Sequence, residues 1–196
     1  MGTVTGTAAL KKNLSTNEKH YFRVTALSAS DDVIATSGSS NGVKPGAVVS
    51  PWLTSTLPQT IHEKDPKGAI KDVTLRSALG GAKAVVFYFS ASWCGPCRNF
   101  TPKLVEFYRS YGAKFGVKVV FVSCDHNDGE FGKYYGGHMP WLAVPFEDES
   151  RERLQGRYGV SGIPRAVVVG VGGRVVCDNA VGGGLGENEA RMWTKG

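Results

Sequence analysis

The sequence predicts an α/β fold with a central mixed sheet of about five strands flanked by helices, and three observations predict it. The run Ala84-Val85-Val86-Phe87-Tyr88-Phe89-Ser90 is apolar almost throughout, too short for a free-standing helix and hydrophobic on both faces, as a strand inside a parallel sheet must be. Further on, Phe100, Leu104, Phe107 and Tyr111 recur at steps of four, three and four, which places them on one stripe of a helix that lies back against the sheet. Val117-Lys118-Val119-Val120-Phe121-Val122-Ser123 then repeats the strand pattern, so the unit is βαβ, parallel and right-handed.

The remaining elements follow in chain order. Residues 1–50 are rich in Thr, Ser, Gly and Asn and form a flexible N-terminal extension, in which His20 to Leu27 is the one stretch suited to a strand. The domain proper is residues 51–196. It opens with a short amphipathic segment through Trp52, Leu53 and Leu57, followed by the turn-rich Glu63-Lys64-Asp65-Pro66-Lys67-Gly68. Val73-Thr74-Leu75 is an edge strand and Ser77-Ala78-Leu79 a helical turn, before Gly80-Gly81 releases the chain into the central strand. Gly112 and Gly116 punctuate the end of the long helix. Beyond the second buried strand come a loop at Asp125–Asp128, a short helix from Glu130 to Tyr135 with Phe131 and Tyr134 inward, and another from Arg151 to Tyr158. Ala166–Gly170 and Arg174–Asp178 form an antiparallel pair about Gly172-Gly173. A Gly-rich tail precedes a last helix, Glu187 to Trp193.

Composition narrows the function. The 196 residues, 41% apolar and 20% charged, suit one domain of about 140 residues and an extension. The longest apolar run is about six residues where a bilayer needs roughly 18, so no membrane partner is expected, and no apolar core follows the N-terminus as a signal peptide requires. A cytoplasmic location is predicted. The first 17 residues, with Lys11 and Lys12 and no acid, resemble a mitochondrial-type transit peptide but lack its arginines. The net charge of +6 is spread without a basic run interleaved with aromatics, so no nucleic acid is expected. No glycines complete G-x-G-x-x-G, which argues against a dinucleotide. Cys94 and Cys97 lack a second close pair, and His20, His62, His126 and His138 show no ligand spacing, so no metal is predicted.

The chemistry lies where the first strand gives way to the helix, at Trp93-Cys94-Gly95-Pro96-Cys97. The first turn of a helix leaves backbone N–H groups without partners and carries the positive end of the dipole, both of which favour a thiolate. Cys94 is expected at the exposed start of that turn and Cys97 one turn inside. Attack by Cys94 on a disulfide makes a mixed disulfide, and a thiol at i+3 is close enough to resolve it. A C-x-x-C near a βαβ pattern in a reducing compartment is a catalytic dithiol, and its own disulfide is the only redox group expected; no cofactor is.

Those residues resemble a family. Trp93-Cys94-Gly95-Pro96-Cys97 after a hydrophobic strand is similar to the thioredoxin active site, and Pro102 matches the helix-kinking proline of that fold. Met139-Pro140-Trp141-Leu142-Ala143-Val144-Pro145-Phe146 and Phe87-Tyr88-Phe89-Ser90-Ala91-Ser92-Trp93 resemble the tryparedoxin and nucleoredoxin branch, with similarity running from about Pro51 to Trp193. Two departures stand out. That branch carries two prolines between the cysteines, whereas Gly95-Pro96 is the thioredoxin pair, permissive and with an added N–H. Thioredoxins place a buried aspartate six residues before the first cysteine; here that residue is Tyr88, as in the tryparedoxin branch, so the Cys97 proton must travel by water or another group.

The resemblance implies more. Gly162-Ile163-Pro164-Arg165 aligns with the thioredoxin loop whose proline is cis, which leaves the Ile163 backbone to pair with an extended substrate segment and makes Trp93 the opposite wall. Arg165 either contacts an acidic partner or points to solvent. Trp93, Gly95, Pro96, Ile163, Pro164 and Arg165 are thus the expected substrate-binding residues beside the catalytic Cys94 and Cys97. The implied activity is thiol–disulfide exchange. A thioredoxin poise near −270 mV argues for a reductant. Electrons would come from trypanothione, glutathione or a thioredoxin reductase and go to a protein disulfide such as that of a peroxiredoxin-type peroxidase. The rival reading is a nucleoredoxin-like module that holds a client and releases it on oxidation. Cys124 is either a regulatory thiol or a packed, inert one, and Cys177 is read as packing. His126 with Asp125 is either a proton carrier or a solvated pair. Glu147-Asp148-Glu149 is a solvated turn or an attractor for a polyamine-bearing thiol.

Overall fold

The computed structural model describes the backbone of residues 25–27 and 33–36 and, beyond them, residues 49–65, 67–170 and 172–195. The predicted flexibility of residues 1–50 falls almost wholly outside the described residues. The chain divides into two compact units, Met1–Ala47 and Val48–Gly196. In the first, β1 (Thr25–Leu27) pairs antiparallel with β2 (Val33–Thr36); β1 lies at the end of the stretch expected to form a strand.

The second unit is built on seven strands: β3 (Thr60–Lys64), β4 (Ile70–Thr74), β5 (Ala84–Ser90), β6 (Val117–Ser123), β7 (Leu142–Ala143), β8 (Arg165–Gly170) and β9 (Val175–Cys177). Their order across the sheet is β4-β3-β7-β6-β5-β8-β9. Parallel pairing joins β5, β6 and β7, while β3–β4, β3–β7, β5–β8 and β8–β9 are antiparallel. The expected mixed α/β sheet is present, with seven strands in place of about five. The two extra ones have physical reasons. Thr60-Ile61-His62-Glu63-Lys64 has a single apolar residue, the fully buried Ile61, and so shows no alternation; its last two residues were expected in the turn-rich Glu63–Gly68 and belong to the strand instead. β7 is two residues long and owes its existence to its neighbours β6 and β3.

The side chains of the interior strands alternate between two cores, as the pleat requires. Ala84, Val86 and Tyr88 face a layer formed by Phe100, Leu104 and Phe107 of α3 (Gly95–Phe107), by Phe131 and Tyr135 of α5 (Asp128–His138) and by Trp193 of α7 (Glu187–Trp193). Val85, Phe87 and Phe89 face the other layer, against Leu53 of α1 (Pro51–Thr56), Leu75 and Leu79 of α2 (Leu75–Leu79) and Leu154 of α6 (Ser150–Arg157). This double burial explains a strand without a polar face.

Helix α3 begins where expected and carries the predicted stripe, but it ends in two steps. A π-helical turn at Tyr108–Gly112 leads into the short α4 (Ala113–Phe115), and Gly116, in the left-handed region at φ 73°, turns the chain into β6. Helix α5 is longer than Glu130–Tyr135. Asn127 caps it by accepting the Glu130 N–H at 2.9 Å, and it runs through Gly136 and Gly137, residues that weigh against a helix in isolation.

Candidate active site

The site forms at the carboxyl ends of β5 and β6, where β5 runs out at Ser90 and the chain turns into α3. Cys94 is the N-cap of α3, and its Sγ accepts the Cys97 N–H at 3.2 Å, so sulfur takes the place that a serine or aspartate oxygen occupies in most helices. Gly95 and Pro96 fill the next two positions. Pro96 lacks an N–H where none is needed, and its ring fixes a helical φ. Cys97 is fully buried one turn in, and the two sulfurs form a disulfide. Cys94, expected at an exposed start, is only 6% exposed: Ala91, Ile163 and Cys124 pack around the sulfur pair. Trp93 is the exposed member, at 51%.

Three sets of contacts hold this turn. Asp125 is a buried clamp whose Oδ1 accepts the Ser92 N–H at 2.7 Å and whose Oδ2 accepts the Ser123 hydroxyl at 2.8 Å. It ties the approach to Cys94 to the end of β6, and is buried against Ser92 and Ser123 where a solvated pair with His126 was one expectation. Trp93 is fixed on both sides, its Nε1 donating to the Cys124 carbonyl at 3.3 Å and its ring stacked on His126 at 5.3 Å between centroids. His126 in turn pairs with Glu130, whose carboxyl the His126 backbone N–H holds below the usual range. Beneath the disulfide lies a set of hydroxyls. Tyr88 Oη, fully buried, shares hydrogen bonds with Thr101 Oγ1 at 2.9 Å and donates to the Cys97 carbonyl at 3.3 Å. Thr101 meets Tyr134 Oη at 2.7 Å, and Tyr134 meets Ser90 Oγ at 3.1 Å. Burial pushes the Tyr88 phenol well up, so a neutral hydroxyl stands where the resemblance led to a comparison with a carboxylate.

The Ile163–Pro164 peptide is cis, and the Ile163 carbonyl oxygen lies 3.7 Å from Cys94 Sγ. Ile163 stands just outside the β5–β8 ladder, which begins at Arg165 opposite Phe89. Arg165 is already paired: its Nη2 donates to both carboxylate oxygens of Asp178, at 2.8 and 2.7 Å. Cys124 is mostly buried, and burial pushes its thiol up to about 11. Glu147-Asp148-Glu149 immediately precedes α6, and Asp148 accepts the Ser150 N–H at 2.8 Å. Among the described residues no group of three or more His, Cys, Asp or Glu side chains is placed to share a metal ion.

Of the expected residues, the structure therefore brings Trp93, Cys94, Gly95, Pro96, Cys97, Ile163 and Pro164 together, and ties Arg165 to Asp178. The hydrogen-bonded roles of Thr101, Tyr134 and Ser90 were not foreseen, and Asp125, expected to act with His126, bonds Ser92 and Ser123 instead. The hydrogen bonds that bring them together span 33 to 44 residues of sequence, from Ser92 to Asp125 and Thr101 to Tyr134 up to Ser90 to Tyr134, and no local pattern marks them.

A dithiol disulfide capping a helix at the carboxyl edge of a mixed sheet, faced by a cis-proline, defines a thioredoxin-fold redox protein. The thioredoxin-like family model matches residues 81–175. The chain is 46% identical over 99 residues to tryparedoxin of Trypanosoma brucei brucei, covering 50% of this chain and 67% of that one. It is 49% identical over 113 residues to probable nucleoredoxin 1 of Arabidopsis thaliana, covering 57% of this chain but only 19% of the relative. Native tryparedoxin I from Crithidia fasciculata superposes with a TM-score of 0.58 at 38% identity, over 66% of this chain and 87% of that one. The chain belongs to the thioredoxin-like family, with relatives among the tryparedoxins and nucleoredoxins.

Proposed function

We propose that this protein is a thiol–disulfide oxidoreductase that reduces protein disulfides through Cys94 and Cys97. The observation that carries the reading is the geometry at Cys94: a sulfur that caps α3 on the Cys97 N–H, bonded to its partner and 3.7 Å from the Ile163 carbonyl. In the reduced protein the same cap and the helix dipole favour the Cys94 thiolate. That thiolate attacks one sulfur of a client disulfide, the other client sulfur leaves as a thiolate and takes a proton, and a Cys94–client mixed disulfide forms. Cys97 then loses its proton and attacks Cys94 Sγ, which restores the intramolecular disulfide and releases the second client thiol. Two electrons and two protons pass to the client. Two thiol equivalents return them, supplied by trypanothione, glutathione or a thioredoxin reductase, and a peroxiredoxin-type peroxidase is the proposed client. A client segment lies between Trp93 and Ile163–Pro164. A reducing compartment, the cytoplasm, is the proposed location.

Dithiol-driven reduction of insulin tests the assignment. Cys94→Ser is expected to abolish turnover, and unchanged turnover would end it. Cys97→Ser is expected to accumulate a client adduct that dithiothreitol releases, and its absence would remove the resolving role. Parallel assays with the three donors identify the physiological class. The nucleoredoxin-like reading is supported by one fact, the 49% identity over 113 residues to probable nucleoredoxin 1 of Arabidopsis thaliana. Stoichiometric client capture without turnover would select it.

A further inference from the structure

A second concave site lies between α3 and α5, with a volume of about 680 Å³. That volume falls within the roughly 300–1,000 Å³ typical of small-molecule sites. Its wall is apolar, formed by Pro102 and Val105, and Thr101 and Tyr134 contribute the hydroxyls already bonded to each other. Two guanidinium groups, Arg98 and Arg109, line it as well, and among the described residues neither has an ion-pair or side-chain hydrogen-bond partner. Against them stands one carboxylate, Glu106, and His138 adds a further group able to carry positive charge. The lining is therefore net cationic.

One residue of the cavity lining lacks a side chain. Helix α5 carries glycine at 129, 132, 136 and 137, residues that disfavour a helix relative to alanine. At Gly137, which lines the cavity, an added Cβ would meet nothing within 4 Å. A larger side chain there would occupy the space.

We propose that this cavity binds a small amphipathic anion, an apolar ring or chain bearing one carboxylate or sulfonate, with the apolar body against Pro102 and Val105 and the anion held by Arg98 and Arg109. Such an occupant is close to the dithiol, since Thr101 Oγ1 donates to the Cys97 carbonyl at 2.9 Å. The site stands whether or not the dithiol turns over.

The probe is 8-anilinonaphthalene-1-sulfonate, titrated into the native oxidised full chain by fluorescence and calorimetry. One saturable site is expected, weakened at least about tenfold by Gly137→Phe and about tenfold by Arg98→Gln with Arg109→Gln, the scale of one lost charged contact. The uncharged N-phenyl-1-naphthylamine is expected to bind about tenfold more weakly, for the same reason. Both arginines are exposed, so the double variant retains the fold even if Gly137→Phe does not. Absence of a saturable site at about 1 mM probe, the weak end of specific binding, would overturn the proposal. So would wild-type affinity in the arginine variant, or equal affinity for the uncharged probe.

Discussion

Asp125 shows how much of this active site depends on a residue that touches no sulfur. Its carboxylate, buried to 6% exposure, holds the Ser92 N–H and the Ser123 hydroxyl, and so fixes the approach to Trp93 and Cys94. Hydrogen bonds to a charged group contribute about 1.5–3 kcal/mol. Asp125→Ala is accordingly expected to lower stability by about 2–3 kcal/mol in urea denaturation and to slow insulin reduction, while Asp125→Asn, which keeps one acceptor, recovers part of both. Equal losses for the two variants would show that the carboxylate does not act as a clamp. At the neighbouring position, burial pushes the Cys124 thiol up to about 11. An exposed thiol in the unfolded chain ionises near 8.5, so the neutral folded thiol contributes stability that is fully present below that pH and is lost as pH rises toward 11. The stability difference between wild type and Cys124→Ala is expected to narrow over that interval, and a constant difference across it would mean that the folded thiol ionises as a free one does. At this scale the sequence reveals residues that carry a motif, Cys94, Cys97 and Pro164. It hides the contacts that Asp125, Thr101 and Tyr134 make, because those exist only after β5, β6, α3 and α5 have come together.

Among the elements, the best legible are those whose burial is two-sided or strictly periodic. β5 and β6 are apolar because both faces are covered, and α3 keeps its stripe from Phe100 to Phe107. β3 and β7 were illegible for the opposite reason, one having a single buried residue and the other only two residues in all. Helix α5 was foreseen too short because its glycines argue locally against it, while Phe131, Tyr134 and Tyr135 anchor it to the sheet and Asn127 caps it. Packing overrides propensity here, and the unfavourable propensity remains as a measurable cost. Gly132 has a helical position at which an added Cβ meets nothing within 4 Å, and it does not line the cavity. Gly132→Ala is therefore expected to stabilise the protein by about 0.5–1 kcal/mol, measured as a shift in the urea midpoint with an unchanged slope. A destabilised variant would indicate that α5 requires glycine for a reason other than helix propensity.

For the molecule as a whole, the question is how much of the chain the fold requires. Every residue of the two described cores lies between Val49 and Trp193, and the sheet that separates them is complete from β3 to β9. The compact unit starts at Val48, and its first two described residues have specific tasks. Val49 is 7% exposed within the layer that holds Leu53 and Phe87, and the Ser50 carbonyl accepts the Leu53 N–H at 2.9 Å, the first turn of α1. Two truncations that differ by three residues should then behave differently. A chain lacking residues 1–47 is expected to keep its melting temperature within about 3 °C and its insulin turnover intact, since it loses none of the described core. A chain lacking residues 1–50 also gives up the burial of Val49 and the start of α1, about 1.5–3 kcal/mol, and is expected to melt several degrees lower by scanning calorimetry. Equal melting of the two would place the boundary of the folded unit after Ser50. Loss of folding in the longer form would mean instead that the thioredoxin-like domain depends on the segment before Val48.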